Sequence, residues 1–135
     1  MEELKDLASH APAFFIYFVA GLVFLAVYFK AYTVATKYDE MELIRHGNMA
    51  AAYSLVGSAA GFALPLATAI SHTTSVQAFV FWALVAMVAQ IATYFFLKVW
   101  LKDVDAQIEA NNAAYGLLDG GISLAVGIIN AGCVA

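Results

Sequence analysis

Two long runs without a charged residue constrain this chain more than any other feature. Between Asp6 and Lys30 lie 23 residues with no Asp, Glu, Lys or Arg, and between Arg45 and Lys98 lie 52. A helix needs about 20 apolar residues to cross the roughly 30 Å hydrocarbon core of a bilayer. The first run therefore holds one span, and the second holds two spans and a turn.

The composition supports a membrane protein. Of the 135 residues, 64% are hydrophobic and 12% are charged, which is too little charge to keep so much apolar surface in water. This balance excludes a soluble enzyme, a nucleic-acid-binding protein and a disulfide scaffold. We expect a single integral membrane domain over residues 1–135, with the lipid bilayer as its main partner.

Four segments are predicted to span the membrane, at about 12–33, 48–70, 77–97 and 111–133. Residues 71–75 form the one turn-like stretch of the longer run, so spans two and three should form a tight hairpin. The longer connections cover about 34–47 and 98–110. Aromatic residues near the span ends are typical of an interfacial belt, and those near the longer connections include Tyr28, Tyr32 and Tyr94.

The basic residues predict the orientation. Five of the six flank or lie within the longer connections, and only Lys5 lies on the other side. By the positive-inside rule both longer connections are cytoplasmic and both termini face outside. The first six residues are acidic rather than basic, so we do not expect the first span to be a cleaved signal peptide.

Spans two and four are similar at an offset of 64 residues. We interpret the chain as two copies of a helix pair. Because each copy holds an even number of spans, both copies insert in the same orientation, related by an axis along the membrane normal. The matching pairs are Ile44 and Ile108, Asn48 and Asn112, Ala50 and Ala114, Gly57 and Gly121, and Ala67 and Ala131.

Three stretches carry a resemblance to a known family. They are LIRHGNMAAA at 43–52, GFALPLA at 61–67 and GIINAGC at 127–133, and they closely resemble the DUF350 (YjfL-like) family of small bacterial inner-membrane proteins. The resemblance covers nearly the whole chain. It implies a four-span protein of the bacterial cytoplasmic membrane, in a family of unestablished molecular activity that is associated with envelope-stress gene neighbourhoods. Asp119 departs from the family pattern, which has an apolar or small residue there.

Asp119 is the only charged residue in the middle of a predicted span, since Lys30 lies near the end of the first. A carboxylate in hydrocarbon costs a few kcal/mol, so Asp119 should face a partner or water rather than lipid. Gln90 of span three is expected at similar depth and is its predicted partner. We interpret the site as one for a proton or cation; the alternative is a neutral carboxyl that bonds between helices. One face of span four carries Asn112, Asp119, Ser123 and Asn130.

Span two has a matching face of polar and small residues. Pro65 removes a helical hydrogen bond and frees the carbonyl of Gly61, which Thr68 or Asn130 is expected to meet. A freed carbonyl can ligate an ion, and the alternative is a purely structural kink. The residues on this face are Ser54, Ser58, Gly61, Pro65 and Thr68.

Two GxxxG patterns predict close helix packing. Small residues four apart let backbones approach, which lipid-embedded helices need because hydrocarbon supplies no hydrophobic drive between them. The patterns favour packing of span two on span four, or of one subunit on another. Spans one and three are bulky, so we expect them to face lipid around an inner pair. The glycines are Gly57, Gly61, Gly116 and Gly120.

We expect neither catalysis nor a cofactor. The sequence shows no phosphate-binding loop and no nucleophile–base pair, and its three histidines are too far apart to form a metal site. Two hypotheses remain. The first is a homo-oligomeric conduit for protons, cations or a small solute. The second is a non-conducting scaffold or envelope-stress partner that binds cytoplasmic proteins through the acidic stretches at 39–45 and 103–109.

Overall fold

The chain is built from helices. The computed structural model describes residues 1–134, and over that range it contains six α-helices. The four long ones are α1 (Glu2–Ala35), α3 (Met49–His72), α4 (Val76–Trp100) and α6 (Ala113–Cys133); the two short ones are α2 (Glu40–Arg45) and α5 (Val104–Glu109). Each long helix has the length and hydropathy to cross a membrane, which confirms the all-α, four-span class.

The long helices alternate in direction, as successive spans must. Gly116 packs on Ala50, and Gly127 packs on Gly61, so residue numbers rise together along α3 and α6 and these two helices are parallel. α1 and α4 run the opposite way. Both chain ends therefore lie at one end of the bundle, here called the terminal side. The two longer connections lie together at the other end, the connection side.

The first helix begins earlier than the apolar pattern predicts. α1 starts at Glu2 rather than near residue 12, with Glu2 and Glu3 in its first turn, where acidic side chains complement the helix dipole. Its 34 residues measure about 51 Å, well beyond the hydrocarbon thickness. The exposed first turns therefore project into the headgroup region or water. Pro12 lies inside the helix rather than at its start.

The two longer connections hold each other in place. Asn48 caps α3 by accepting from the backbone N–H of Ala51, and its amide donates to the carbonyl of Ile108, both at 2.8 Å. Asn111, in the left-handed backbone region, accepts from the N–H of Met49 at 2.8 Å. Donors of the first turn of α3 are thus satisfied from both connections. This fixes the starting ends of α3 and α6 side by side.

The helices differ in how much they bury. α3 and α6 form the most extensive helix–helix contact of the described chain, and α1 is the most exposed long helix. α4 has two sides: one faces outward, and the other enters the core through Phe79, Ala83, Ala86 and Gln90.

Candidate functional site

The contact between α3 and α6 depends on glycine. A Cβ atom at Gly120 would overlap the carbonyl oxygen of Tyr53, and one at Gly57 would overlap the backbone of Gly120. Only a residue without a side chain allows the two backbones to come this close. The four glycines predicted to pack all lie in this interface, together with a fifth that the pattern did not indicate; the set is Gly57, Gly61, Gly116, Gly120 and Gly127.

Asp119 lies in this interface and not against lipid. Its side chain is 3% exposed, and Ser54 of α3 donates a hydrogen bond to its Oδ2. The Tyr32 hydroxyl of α1 lies 2.7 Å from Ser54 Oγ. Because Ser54 has one proton and gives it to Asp119, Tyr32 is the donor to Ser54. Side chains of three spans therefore form one chain of hydrogen bonds.

A second polar level lies one helical turn nearer the terminal side. Three helices each supply one residue to it, four positions from their residue in the first level: Tyr28 precedes Tyr32, Ser58 follows Ser54, and Ser123 follows Asp119. All three are buried. Gln90 of α4 joins this level: its amide donates to the carbonyl of Ser123 at 3.2 Å. We call the two levels together the polar cluster; its members are Tyr28, Tyr32, Ser54, Ser58, Gln90, Asp119 and Ser123.

The structure does not show the predicted pair between Gln90 and Asp119. The prediction rested on the two residues lying at the same depth in the membrane. Whether side chains at one depth meet also depends on how each helix is rotated about its axis. The glycines bring α3 so close to α6 that Ser54 takes the carboxyl of Asp119. Gln90 is 2% exposed, and its Oε1 is buried without a hydrogen-bond partner among the described residues. An acceptor in this state is costly in a membrane interior.

Two other residues of the span-four face lie outside the polar cluster. Asn112 is the N-cap residue of α6, and its amide donates to Gln107 Oε1 at 3.0 Å. Asn130 lies three turns beyond Asp119 and donates to the carbonyl of Ala86 at 3.3 Å. The predicted continuous face is thus divided into a buried centre and two separate ends.

The proline of α3 has a packing role in this structure. Pro65 frees the Gly61 carbonyl, and the backbone of Gly127 lies directly against that oxygen. A close Cα–H···O contact is the usual consequence of such an approach between helices. Thr68 bonds to Leu64 of its own helix at 3.1 Å, so neither Thr68 nor Asn130 meets the freed carbonyl as expected.

An apolar layer closes the polar cluster toward the terminal side. Phe62 and Phe79 are fully buried there, and the Tyr28 ring stacks on Phe62 with centroids 4.7 Å apart. Among the described residues, the fully buried side chains beyond the tyrosine hydroxyl in this direction are apolar. The layer consists of Phe62, Leu66, Ala69, Phe79, Ala83, Ala86 and Met87.

On the connection side the polar cluster is covered by an apolar group of side chains that includes Tyr38, with the buried Glu40 beside it. Tyr38 packs on Ala50 and Ala51, one turn above Ser54, and burial raises the pKa of its phenol. Glu40 is 2% exposed and accepts a hydrogen bond from Thr36. Burial raises the pKa of Glu40 above its ordinary 4.5, and the negative charges of Asp39 and Asp105 raise it further, against the opposing effect of the Thr36 bond.

Sequence reasoning missed the tyrosines and Glu40. Tyr28 and Tyr32 were assigned to an interfacial belt, since position along a span does not show which way a ring points. Their spacing of four places both rings on one face of α1, which was the available signal. Glu40 looked like an exposed residue of an acidic helix, and only the tertiary fold shows that it is buried.

These features define a small polytopic membrane protein with a polar centre that draws on all four spans. The chain belongs to the family described as DUF350, a domain of unknown function, whose model matches residues 6–134. It is 29% identical to the UPF0719 inner membrane protein YjfL of Escherichia coli K12, over 90% of this chain and 92% of that protein. It is 27% identical to the UPF0719 transmembrane protein YshE of Bacillus subtilis, over 84% and 86%. No solved structure matches the chain.

Proposed function

We propose that the chain is a subunit of a proton conduit, in which Asp119 takes up and releases a proton inside the membrane. The observation that carries this proposal is the buried Asp119 carboxyl with its hydroxyl chain through Ser54 and Tyr32. The ion pairs found within residues 1–134 join other residues, so Asp119 has no paired cation there. A buried carboxyl without a counter-charge favours its protonated form, and ionisable residues at membrane depth mark functional sites by default.

The packing favours a proton over a larger solute. Asp119 is in contact with side chains of the core, and the main surface clefts of the described residues are lined by other groups. A hydrated cation needs room for its water, whereas a proton needs only groups that both donate and accept. The hydroxyls of Ser54 and Tyr32 are such groups.

Conduction through the whole membrane requires the apolar layer to open, and we propose that assembly of several copies allows this. α6 offers a suitable outer surface, because the space outside Gly121 and Gly132 is open. Small residues on a lipid-facing helix allow a second copy to approach closely. As part of the same proposal, α3 and α6 lie at the inside of the assembly, and α1 and α4 face lipid.

We further propose that the connection side is cytoplasmic and that the chain arose by duplication. The basic residues at the connections support the first statement. The second is supported by the order of elements: a short acidic helix and an asparagine N-cap precede both α3 and α6. The parallel directions of α3 and α6 agree with this order.

Proton flux into liposomes tests the main proposal. Purified protein is reconstituted with a pH-sensitive dye inside, and an imposed potassium diffusion potential drives protons inward. Wild-type vesicles should acidify, and D119N should slow the change by about tenfold or more, since the variant cannot exchange a proton. D103N is the matched control, because Asp103 is exposed in the second connection. Wild-type flux equal to that of empty liposomes would refute the conduit.

The exposed acidic surface of the short helices favours a second candidate, a scaffold that binds cytoplasmic proteins. Two acidic residues do not contribute to this surface, because Glu40 is buried and Asp105 pairs with Lys98 at 3.4 Å. The acidic residues that remain exposed are Asp39, Glu42, Asp103 and Glu109. Charge reversal by E42K and D103K should abolish partner capture while D119N leaves it intact. Capture that is insensitive to both reversals would eliminate this surface.

A further inference from the structure

We propose that Tyr38 and Glu40 form the entrance through which protons from the connection side reach Asp119. The proposal deepens the function above, because it assigns the groups that load the same site. It concerns residues outside the membrane spans. None of them belongs to the hydroxyl chain of Asp119.

The position of Tyr38 is the first argument. Its ring lies among Ala50 and Ala51 of α3 and Val104 and Ile108 of the second connection, where α3 and α6 begin. Ser54 is the next turn of α3 below this point. Burial raises the pKa of the phenol, and the negative charge of Asp119 raises it further. Tyr38 therefore covers the polar cluster from the connection side.

The burial of Glu40 is the second argument. A six-residue helix outside the hydrocarbon could turn a glutamate freely toward water, yet this carboxyl is turned inward and bonded to Thr36. It also lines a cleft of about 460 Å³ that opens at the surface beside Tyr38. Glu40 thus has water-accessible space on one side and the protein interior on the other.

The charges around Glu40 suit a group that gains and loses a proton. From its own connection it faces Thr36, Tyr38 and Asp39, and Lys37 lines the same cleft. From α5 it faces Asp105, whose Oδ2 is held by Lys98. Burial raises the pKa of Glu40 above its ordinary value, and the charges of the neighbouring acids raise it further. A carboxyl in contact with both the cleft and the interior can receive a proton on one side and give it up on the other.

The third argument is that access is one-sided. The apolar layer around Phe62 and Phe79 separates Asp119 from the terminal side, and it provides no group that carries a proton. On the connection side Tyr38 also packs among apolar side chains, but its hydroxyl and the buried Glu40 carboxyl are groups that can carry a proton. The two sides of Asp119 therefore differ in the groups they offer.

The transfer itself balances without any other reactant. A hydronium ion in the cleft protonates the Glu40 carboxylate and becomes water. Glu40 passes this proton to the Tyr38 oxygen as the Tyr38 hydroxyl gives its own proton inward, to the chain that ends at Asp119. The Asp119 carboxylate becomes a carboxyl, and Tyr38 ends the step as a neutral phenol.

Hydrogen–deuterium exchange of the Asp119 carboxyl tests this entrance without relying on flux. Infrared spectroscopy of the protein in detergent identifies the protonated-carboxyl band that D119N lacks, and the shift of this band after transfer to D₂O gives the exchange rate. Y38F and E40Q keep the ring and the acceptor for Thr36, so they preserve packing. Each should slow exchange by about tenfold. E42Q, the same change on an exposed residue of the same helix, should exchange like the wild type.

Each result decides one of the two proposals. Exchange at the wild-type rate in both Y38F and E40Q would overturn the entrance, even where D119N abolishes flux. The absence of any band that D119N removes, at every pH at which the protein stays folded, would also overturn it. Slowed exchange in these variants, together with a wild type that conducts no protons, would keep the entrance and reject the conduit.

Discussion

Ser54 is the residue on which the hydrogen bonds of the site converge, since it donates to Asp119 and accepts from Tyr32. Removing its hydroxyl leaves two buried polar groups without a partner in a region where water cannot replace it. S54A should therefore lower the free energy of unfolding in detergent by about 1 kcal/mol, the scale of hydrogen bonds between membrane helices. Ser71, which is exposed near the end of α3, provides the control S71A. Equal losses in the two variants would show that the bond is energetically unimportant.

Glu40 gives stability a pH dependence whose sign follows from its raised pKa. Above 4.5 the folded protein holds this proton more tightly than the unfolded chain does, so the contribution of Glu40 to stability falls as the pH rises through the folded pKa. E40Q has no such group. Its melting temperature should exceed that of the wild type at neutral pH, and the difference should vanish as the pH falls below 4.5.

Melting curves in one detergent across that range measure this effect. E42Q is again the control, because Glu42 is exposed and its change should leave the pH trend of the wild type intact. A difference between E40Q and the wild type that stays constant from acid to neutral pH would contradict the assigned cause.

At the level of the helices, α3 and α6 are parallel neighbours whose contact leaves no room for a methyl group at certain positions. Two adjacent glycines of α6 test this directly. A Cβ at Gly120 would overlap the carbonyl of Tyr53, whereas the space outside Gly121 is open. G120A should cost about 1–3 kcal/mol through overpacking. In the dissociated monomer, G121A should be neutral or slightly stabilising, since alanine favours a helix over glycine by roughly 0.5–1 kcal/mol.

Unfolding in mixed detergent compares the two variants, which have identical composition and differ only in which face carries the methyl group. If G121A were the more damaging change, the outer face of α6 would have to be tightly packed in the assembled protein. That result would count for the proposed oligomer and against lipid at this surface.

For the whole molecule, hydropathy predicted the number and location of the membrane spans, because the hydrocarbon of the bilayer requires them. A long, mainly apolar run must cross hydrocarbon as a helix, so the four spans and the hairpin at 71–75 follow from the sequence alone. The predicted start of α1 was wrong by about ten residues, or nearly three helical turns, because the helix continues through polar residues beyond the hydrocarbon. Glycine spacing also indicated the α3–α6 contact, since close approach has a local requirement.

The composition of the site was predictable to a lesser degree. Asp119, Ser54, Ser58, Gln90 and Ser123 were identified because polar residues in a span are conspicuous, and all five are buried. Which of these side chains bond to each other was not predictable. It depends on the rotation of each helix about its axis, which is set by the packing of all four helices together.

The orientation of the whole bundle in the membrane can be tested with the native cysteine. α6 measures about 31 Å, close to the hydrocarbon thickness, so Cys133 at its end reaches the membrane surface on the terminal side, where it is exposed. The distribution of basic residues predicts that this side lies outside the cell. A membrane-impermeant maleimide should therefore label intact spheroplasts. In a C133S background carrying H46C in the first connection, labelling should require permeabilised membranes. Labelling in the reverse order would place the connections, and with them Glu40 and the proposed proton entrance, on the outer face.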